Sequence, residues 1–256
     1  MLSEKRILEE LNSLGISSPK LFFYEETDST STRAREYAEG NPGEEAIFIA
    51  NSQTAGRGRR GRSFVSKPGA GIYISFLNRP VARGFDATKI TAESAVRLCS
   101  AIESLCDCRI EIKWVNDLFL GGKKLAGILT EGKVENDGKI AYQIVGMGIN
   151  VYKNAISDEI SSIATSLEDE INLAPDRSRL AARIIKEMLS EKDCFDDYKS
   201  RSVVIGKEVT VIKQGESYPA RVIDLNPDYS LLLDLGGRTE RLFTGEVSIS
   251  IKNRLN

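Results

Sequence analysis

The segment TAGRGRRGRSF, residues 54–64, carries four arginines and three glycines within the seven positions 56–62. Glycine lets a ligand approach the main chain closely. The planar guanidinium of arginine matches the oxygens of a carboxylate or a phosphate. The pattern therefore favours a site for an anionic ligand, with a nucleic-acid contact and a solvated surface loop as the alternatives.

A second group of polar residues lies in IKWVNDLFLGGKKLAGILTE, residues 112–131. Lys113 and Asp117 offer a cation and a carboxylate suited to magnesium within five residues. Gly127 removes a side chain from the middle of a strand, where another group must approach. Lys124 stands between a turn and an apolar run, from which it can point into a cleft. A site is one interpretation of this stretch, and an ordinary charged hairpin is the other.

Composition excludes several kinds of active site. The chain has 256 residues, a net charge of -2 and no histidine, which excludes Ser-His-Asp triads and most zinc sites. The four cysteines form no CxxC pair, and we expect inert thiols. Positive charge is local, which favours a small anion over a long polyanion. No signal peptide or apolar run of membrane-spanning length is present, so we expect a soluble, cytoplasmic protein without membrane contact.

Hydrophobic periodicity predicts a mixed α/β chain. Predicted helices cover 2–14, 29–40, 86–105 and 176–200, and predicted strands cover 21–26, 46–51, 71–78, 109–115 and 139–151, with a hairpin over 117–134 that turns at Gly121 and Gly122. From Gly206 the pattern changes to short strands separated by turn residues, typical of a small β-barrel. These patterns predict two domains, 1–200 and 201–256.

Four motifs occur together in a specific order. They are DSTST (28–32), QTAGRGRRGR (53–62), KWVNDLFLGGKKLAGIL (113–129) and GMGINV (146–151). In sequence and spacing this set resembles the biotin protein ligases over roughly residues 20 to 250. The resemblance implies an α/β (α+β) catalytic core with a mixed sheet, like that of class II aminoacyl-tRNA synthetases, followed by a small Src-homology-3-like β-barrel.

The same resemblance implies a two-step reaction. Biotin and MgATP first give biotinyl-5'-AMP and pyrophosphate, and a lysine of a biotin carboxyl carrier protein then takes the biotin and releases AMP. The implied cofactors are therefore ATP and Mg²⁺, with biotin as the substrate. No histidine base is needed, because a carboxylate is already the nucleophile of the first step.

Individual roles follow from positions that match the family's motifs. The expected biotin-binding residues are Ser29, Thr30, Ser31, Gln53, Gly56, Arg57, Gly58, Arg59, Lys124 and Gly127. The expected ATP-binding residues are Arg59, Arg62, Phe64, Asn116, Asp117 and Asn150. The expected catalytic residues are Arg57, Arg59, Lys113, Asp117 and Lys124, and Asp117 is the candidate magnesium ligand.

The chain departs from the family's pattern at two positions. Val115 stands where proline is common, and Phe64 stands where tryptophan is frequent. About twenty residues precede the first predicted strand, which is too few for the DNA-binding domain that some members carry. We therefore expect a short form without a repressor role or DNA contact, either monomeric or homodimeric. A lipoate ligase, a nucleic-acid-binding module and a catalytically decayed relative remain the alternatives.

Overall fold

The computed structural model describes residues 2–17, 19–79, 85–172, 174–213 and 215–249. A seven-stranded sheet forms the centre, in the order β1-β2-β3-β7-β6-β5-β4. Only the β1–β2 pair is parallel within this sheet as described. The strands are β1 (Leu21–Tyr24), β2 (Ala46–Ala50), β3 (Gly71–Asn78), β4 (Glu111–Lys113), β5 (Asp117–Leu120), β6 (Lys123–Val134) and β7 (Ile140–Asn150).

Helices cover both faces of this sheet. They are α1 (Glu4–Ser13), α2 (Thr30–Gly40), α3 (Ala87–Glu103), α4 (Leu167–Ile171), α5 (Arg177–Met188) and α6 (Phe195–Arg201). On β2, Ile47 and Ile49 join the larger core with α1, α3 and α5, whereas Phe48 packs in a smaller core with α2. Because successive strand residues point to opposite faces, α2 lies on one face and α1, α3 and α5 lie on the other.

A second, five-stranded antiparallel sheet follows α6. Its strands are β8 (Glu208–Lys213), β9 (Glu216–Leu225), β10 (Leu231–Asp234), β11 (Thr239–Leu242) and β12 (Glu246–Ile249), in the order β11-β10-β9-β8-β12. Its interior is continuous with the larger core. Trp114 fixes the contact, because its buried Nε1 donates to the carbonyl of Tyr229 at 2.8 Å. The boundary between 200 and 201 stays a prediction, and residues 250–256 of the second predicted domain lie outside the described ranges.

The structure corrects some predicted elements. The helix predicted over 176–200 is two helices, because Leu189 is exposed and the carboxylate of Asp193 accepts from the backbone N–H of Phe195 to start α6. The strand predicted over 109–115 ends at Lys113, where Trp114 turns inward towards Tyr229. The strand predicted over 21–26 ends at Tyr24.

The predicted hairpin is confirmed. Gly121 and Gly122 form its turn with φ of 58° and 75°, in the region that favours glycine. None of the helices in the described ranges has the length and apolarity needed to cross a membrane.

Candidate active site

A cavity opens on the α2 face of the central sheet. It lies between the start of α2, the arginine loop (residues 54–64) and strands β6 and β7. Its lining consists of Ser29, Thr30, Ser31, Gln53, Arg57, Gly58, Arg59, Phe64, Asn116, Lys124, Gly127, Ile128, Leu129, Gly146, Met147 and Gly148. The fold thus brings together most of the site residues that the sequence predicts.

One side of the cavity, the neutral wall, consists of Ser29–Ser31 and Gln53. The backbone N–H of Thr30 donates to Gln53 Oε1 at 2.8 Å, and Thr30 Oγ1 bonds Ser75 Oγ at 2.8 Å. Ser31 Oγ also bonds Ser75 Oγ, at 3.0 Å, and Gln53 Nε2 donates to Ser66 Oγ at 2.9 Å. Because α2 begins at this wall and its polar groups hold one another, the donors and acceptors have fixed positions.

Three glycines form the floor of the cavity. In the β6–β7 register, Gly127 faces Gly148 and Leu129 faces Gly146. A Cβ on Gly146 would lie 2.5 Å from Ser31 Oγ, and one on Gly148 would lie 2.6 Å from the Phe64 ring. A Cβ on Gly127 would lie 3.3 Å from the Lys124 amine. The missing side chains therefore leave room for the groups that line the cavity.

Sequence reasoning missed five of the lining residues as site members: Ile128, Leu129, Gly146, Met147 and Gly148. The GMG of residues 146–148 is a usable signal, because two glycines separated by one residue leave one face of a strand without side chains. Their partner on β6 depends on the strand register, which the sequence does not specify.

The opposite side, the charged wall, consists of Arg57, Arg59, Asn116 and Lys124. Arg59 donates to Asn116 Oδ1 at 2.9 Å. Asp117 lies behind this wall, where its Oδ1 accepts from Lys124 Nζ at 2.7 Å and from Asn116 Nδ2 at 2.9 Å. Burial lowers the pKa of the Arg59 guanidinium from its ordinary value, although Asp117 opposes the shift. The wall therefore holds cations in a partly desolvated position, where electrostatic interactions are stronger than in water.

The arginine loop also contacts the second sheet. Arg59 donates to the carbonyl of Gly245 at 3.4 Å, Arg60 donates to the carbonyl of Ile212 at 3.2 Å, and Arg62 donates to Glu246 at 2.8 Å. These contacts tie one wall of the cavity to the C-terminal sheet.

Five predicted site residues do not line this cavity: Gly56, Arg62, Lys113, Asp117 and Asn150. Gly56 lies against the loop's own backbone, because a Cβ there would collide with the carbonyl oxygen of Phe64. Asn150 is buried and donates to the carbonyl of Thr165 at 3.1 Å. Their roles stay predictions.

Lys113 lies opposite Asp117 in the backbone register of the β4–β5 hairpin. Burial lowers the pKa of Lys113, while the charge of Asp117 opposes that shift. Lys113 is therefore a partly buried cation behind the charged wall.

The described residues contain no cluster of three or more side chains suited to hold a metal ion. Magnesium bound with a nucleotide needs only one or two carboxylates besides the phosphates, and Asp117 could supply one. Its Oδ1 already accepts from two donors. Asp117 as the magnesium ligand therefore stays a prediction.

The chain belongs to the biotin/lipoate A/B protein ligase family, whose model matches residues 23–150. It is 30% identical to a biotin--[acetyl-CoA-carboxylase] ligase of Mycobacterium tuberculosis, over 96% of this chain and 95% of that protein. It is 28% identical to the bifunctional ligase/repressor BirA of Bacillus subtilis, over 97% of this chain and 79% of that protein.

Solved structures show the same fold. The biotin protein ligase from Aquifex aeolicus in complex with biotin and ATP superposes with a TM-score of 0.76 at 25% identity, over 90% of this chain and 98% of that one. The predicted α/β fold class is confirmed.

Proposed function

We propose that this protein is an ATP-dependent biotin ligase. It forms biotinyl-5'-AMP from biotin and ATP and then transfers biotin to a lysine of a biotin carboxyl carrier protein. The observation that carries the proposal is the pairing of a neutral wall and a charged wall in one cavity. Biotin has a matching division, with an uncharged ureido ring at one end and a carboxylate at the other. The similarity of this chain to ligases of Mycobacterium tuberculosis and Aquifex aeolicus supports the proposal.

The neutral wall suits the ureido ring. Hydroxyl groups and the Gln53 amide both donate and accept hydrogen bonds without carrying charge. Thr30 and Gln53 are already bonded to each other and to buried neighbours, so little further ordering is required when a ligand binds. The glycine floor leaves room for the apolar tail to run towards the charged wall.

The charged wall suits the adenylation step. The biotin carboxylate attacks the α-phosphorus of ATP, a P–O bond forms, and the bond to pyrophosphate breaks. Arg57, Arg59 and Lys124 bring two mutually repelling anions together and stabilise the charge that develops on the transferring phosphoryl group. Magnesium, when bound with ATP, neutralises part of the phosphate charge.

Transfer requires an unprotonated amine. The carrier lysine attacks the acyl carbon of biotinyl-5'-AMP, the C–O bond to AMP breaks, and an amide forms. The lysine proton passes to a base, for which Asp117 is the candidate beside the charged wall. The arginine loop shields the reactive anhydride from water until the carrier arrives.

The test is transfer to an isolated biotin carboxyl carrier domain. Purified protein, biotin, ATP and Mg²⁺ are incubated with the domain, and the modified lysine is identified by mass spectrometry. We expect one biotinylated lysine per domain, and none when ATP is omitted or the acceptor lysine is replaced by arginine. A domain that stays unmodified after incubation with protein, biotin, ATP and Mg²⁺ would refute the transfer step.

We further propose that two copies of the chain associate through the central sheet. Strand β6 pairs with β7 over Ala126–Val134 but with β5 only as far as Gly127, and Val134 is exposed. Ile128 still bonds Asn116 through its backbone. In the described part of the chain, the edge of β6 beyond Ile128 has no neighbouring strand, and such an edge can pair with another copy. Light scattering after size-exclusion chromatography should give the dimer mass, and a monomer mass at high concentration would refute it.

We also propose that the protein does not bind DNA and acts in the cytoplasm, where ATP is available. The loop arginines are engaged internally, Arg57 by Glu131, Arg59 by Asn116 and Arg62 by Glu246. Fluorescence anisotropy with a labelled duplex should show no binding at physiological salt. Cell fractionation tests the location.

A further inference from the structure

We propose that Glu131 is a positioning residue that holds Arg57 at the edge of the cavity. The inference rests on the proposed ligase function, because Arg57 is one of the cations that bring the biotin carboxylate and ATP together there. Glu131 does not line the cavity. It acts on the reaction through the guanidinium that it binds.

Glu131 stands where three parts of the site meet. On β6, residues 127, 129 and 131 share the α2 face, and Gly127 and Leu129 line the cavity. Glu131 is the next residue along this face. There its Oε1 accepts from Arg57 of the arginine loop and, at 2.6 Å, from Arg35 of α2.

The helix that supplies Arg35 also supplies the neutral wall. Ser31 and Arg35 are one helical turn apart on α2, so both lie on the same side of the helix. Ser31 lines the cavity, and Arg35 binds Glu131. One carboxylate therefore connects the arginine loop, the sheet and the helix that begins the neutral wall.

The environment makes this contact stronger than a surface ion pair. The Glu131 side chain is only 21% exposed, so its interactions are less screened than those of solvated charges. In the described part of the chain, Glu131 is the only side chain that accepts a hydrogen bond from Arg57. Without it, a long side chain on a glycine-rich loop would sample many rotamers.

Arg35 keeps Glu131 functional when Arg57 turns towards an anionic ligand. A partly buried carboxylate that loses its partner carries an uncompensated charge at a high cost. Because Arg35 bonds the same oxygen, that cost is reduced. Glu131 Oε2 is buried and has no hydrogen-bond partner among the described residues, so it can accept from Arg57 as the guanidinium shifts.

The test is a double-mutant cycle with Glu131→Gln and Arg57→Ala, measured by biotin-dependent exchange of labelled pyrophosphate into ATP. Glu131→Gln keeps the shape but removes the charge. We expect it to raise KM for biotin about tenfold and to change kcat less than about threefold, since uniform binding is lost. In the Arg57→Ala background, we expect Glu131→Gln to change KM less than about twofold, because the residue through which it acts is already absent.

The matched control is Glu39→Gln. Glu39 makes the neighbouring ion pair between α2 and β6, with Lys133 at 2.7 Å, but does not contact the loop. We expect wild-type KM and kcat. Glu131→Asp keeps the charge but withdraws the carboxylate by one methylene, so KM should rise by less. It also keeps the test valid if Glu131→Gln fails to fold, which the melting temperature reports.

Three results would overturn the inference. They are equal effects of Glu131→Gln with and without Arg57, a wild-type KM in Glu131→Gln, and the same KM shift in Glu39→Gln. Exchange that is absent from the wild-type protein would refute the proposed function itself and is therefore distinguishable from these outcomes.

Discussion

The two walls of the cavity are held in different ways. The neutral wall is held by short contacts among buried hydroxyls and one amide, such as those that join Thr30, Gln53 and Ser75. The charged wall is held by long side chains that reach other elements, as Arg57 reaches Glu131 and Arg59 reaches Asn116 and Gly245. A wall of the first kind is rigid and suits selection of a ligand. A wall of the second kind can adjust and suits a reaction in which charge moves.

The largest effect should come from the charged wall. Lys124→Ala removes the cation next to Asp117, and we expect pyrophosphate exchange to fall about 100-fold or more, the usual cost of one charge-stabilising group. Biotin affinity, measured by calorimetry, should change less than about threefold. Lys139→Ala, which removes an exposed lysine paired with Asp137, is the control. Retained exchange in Lys124→Ala would assign the chemistry to another cation.

Substitutions in the glycine floor beside the neutral wall should instead weaken biotin binding. In Gly146→Ala, the new methyl would press on Ser31 Oγ at 2.5 Å, and overpacking of this kind costs about 1–3 kcal/mol. We expect biotin affinity to fall about tenfold or more, read by calorimetry. Gly40→Ala has open space around the new methyl and should bind normally. Unchanged affinity in Gly146→Ala would mean that the floor is not part of the biotin site.

Arg59 should affect retention of the intermediate. Arg59→Ala removes a cation that joins the arginine loop to Asn116 and to the second sheet. We expect free biotinyl-5'-AMP in solution to rise about tenfold, consistent with the loss of one charged contact. The measurement is chromatography of the protein-free filtrate. Arg109→Ala, an exposed arginine outside the site, should retain the intermediate, and equal retention in both variants would contradict the role of Arg59.

The smallest effect concerns the stability cost of Lys113, the partly buried cation behind the charged wall. Because burial lowers the pKa of Lys113, the unfolded chain binds more protons than the folded one between the folded pKa and about 10.5, and stability from this group rises with pH there. At neutral pH the buried charge is a cost. Lys113→Met should therefore raise the unfolding free energy by about 1 kcal/mol, or Tm by about 2–4 °C.

Calorimetry from neutral pH to about pH 10 tests the sign. The stability advantage of Lys113→Met should narrow as pH rises, because the wild-type lysine then loses its charge. A gap that widens with pH would show that Lys113 is stabilised in its charged form by Asp117 rather than destabilised by burial.

Local sequence signals predict much of the fold and of the neutral wall. A continuous apolar run places β2, an alternating pattern places β3, and Gly121 with Gly122 places the β5–β6 turn. The sequence does not predict the break between α5 and α6, because its signal is one local hydrogen bond, from the backbone N–H of Phe195 to Asp193, within an otherwise helical pattern. Local pattern is thus sufficient where a residue's partner lies close in the chain.

The sequence does not specify which residues far apart in the chain contact each other. Arg62 is expected at ATP from its match to the family's motif, and this role stays a prediction. Its guanidinium bonds Glu246, which is 184 positions away. Gly146 and Gly148 were missed as site residues because their part in the cavity depends on the β6–β7 register. Only the packed structure brings such residues together.

The most direct test of the proposed ligase function is exchange of labelled pyrophosphate into ATP by the purified protein, with biotin in one tube and lipoate in another. We expect exchange with biotin alone, because the neutral wall selects the ureido ring and the charged wall activates the carboxylate. Exchange with lipoate alone, or no exchange with either acid, would contradict it.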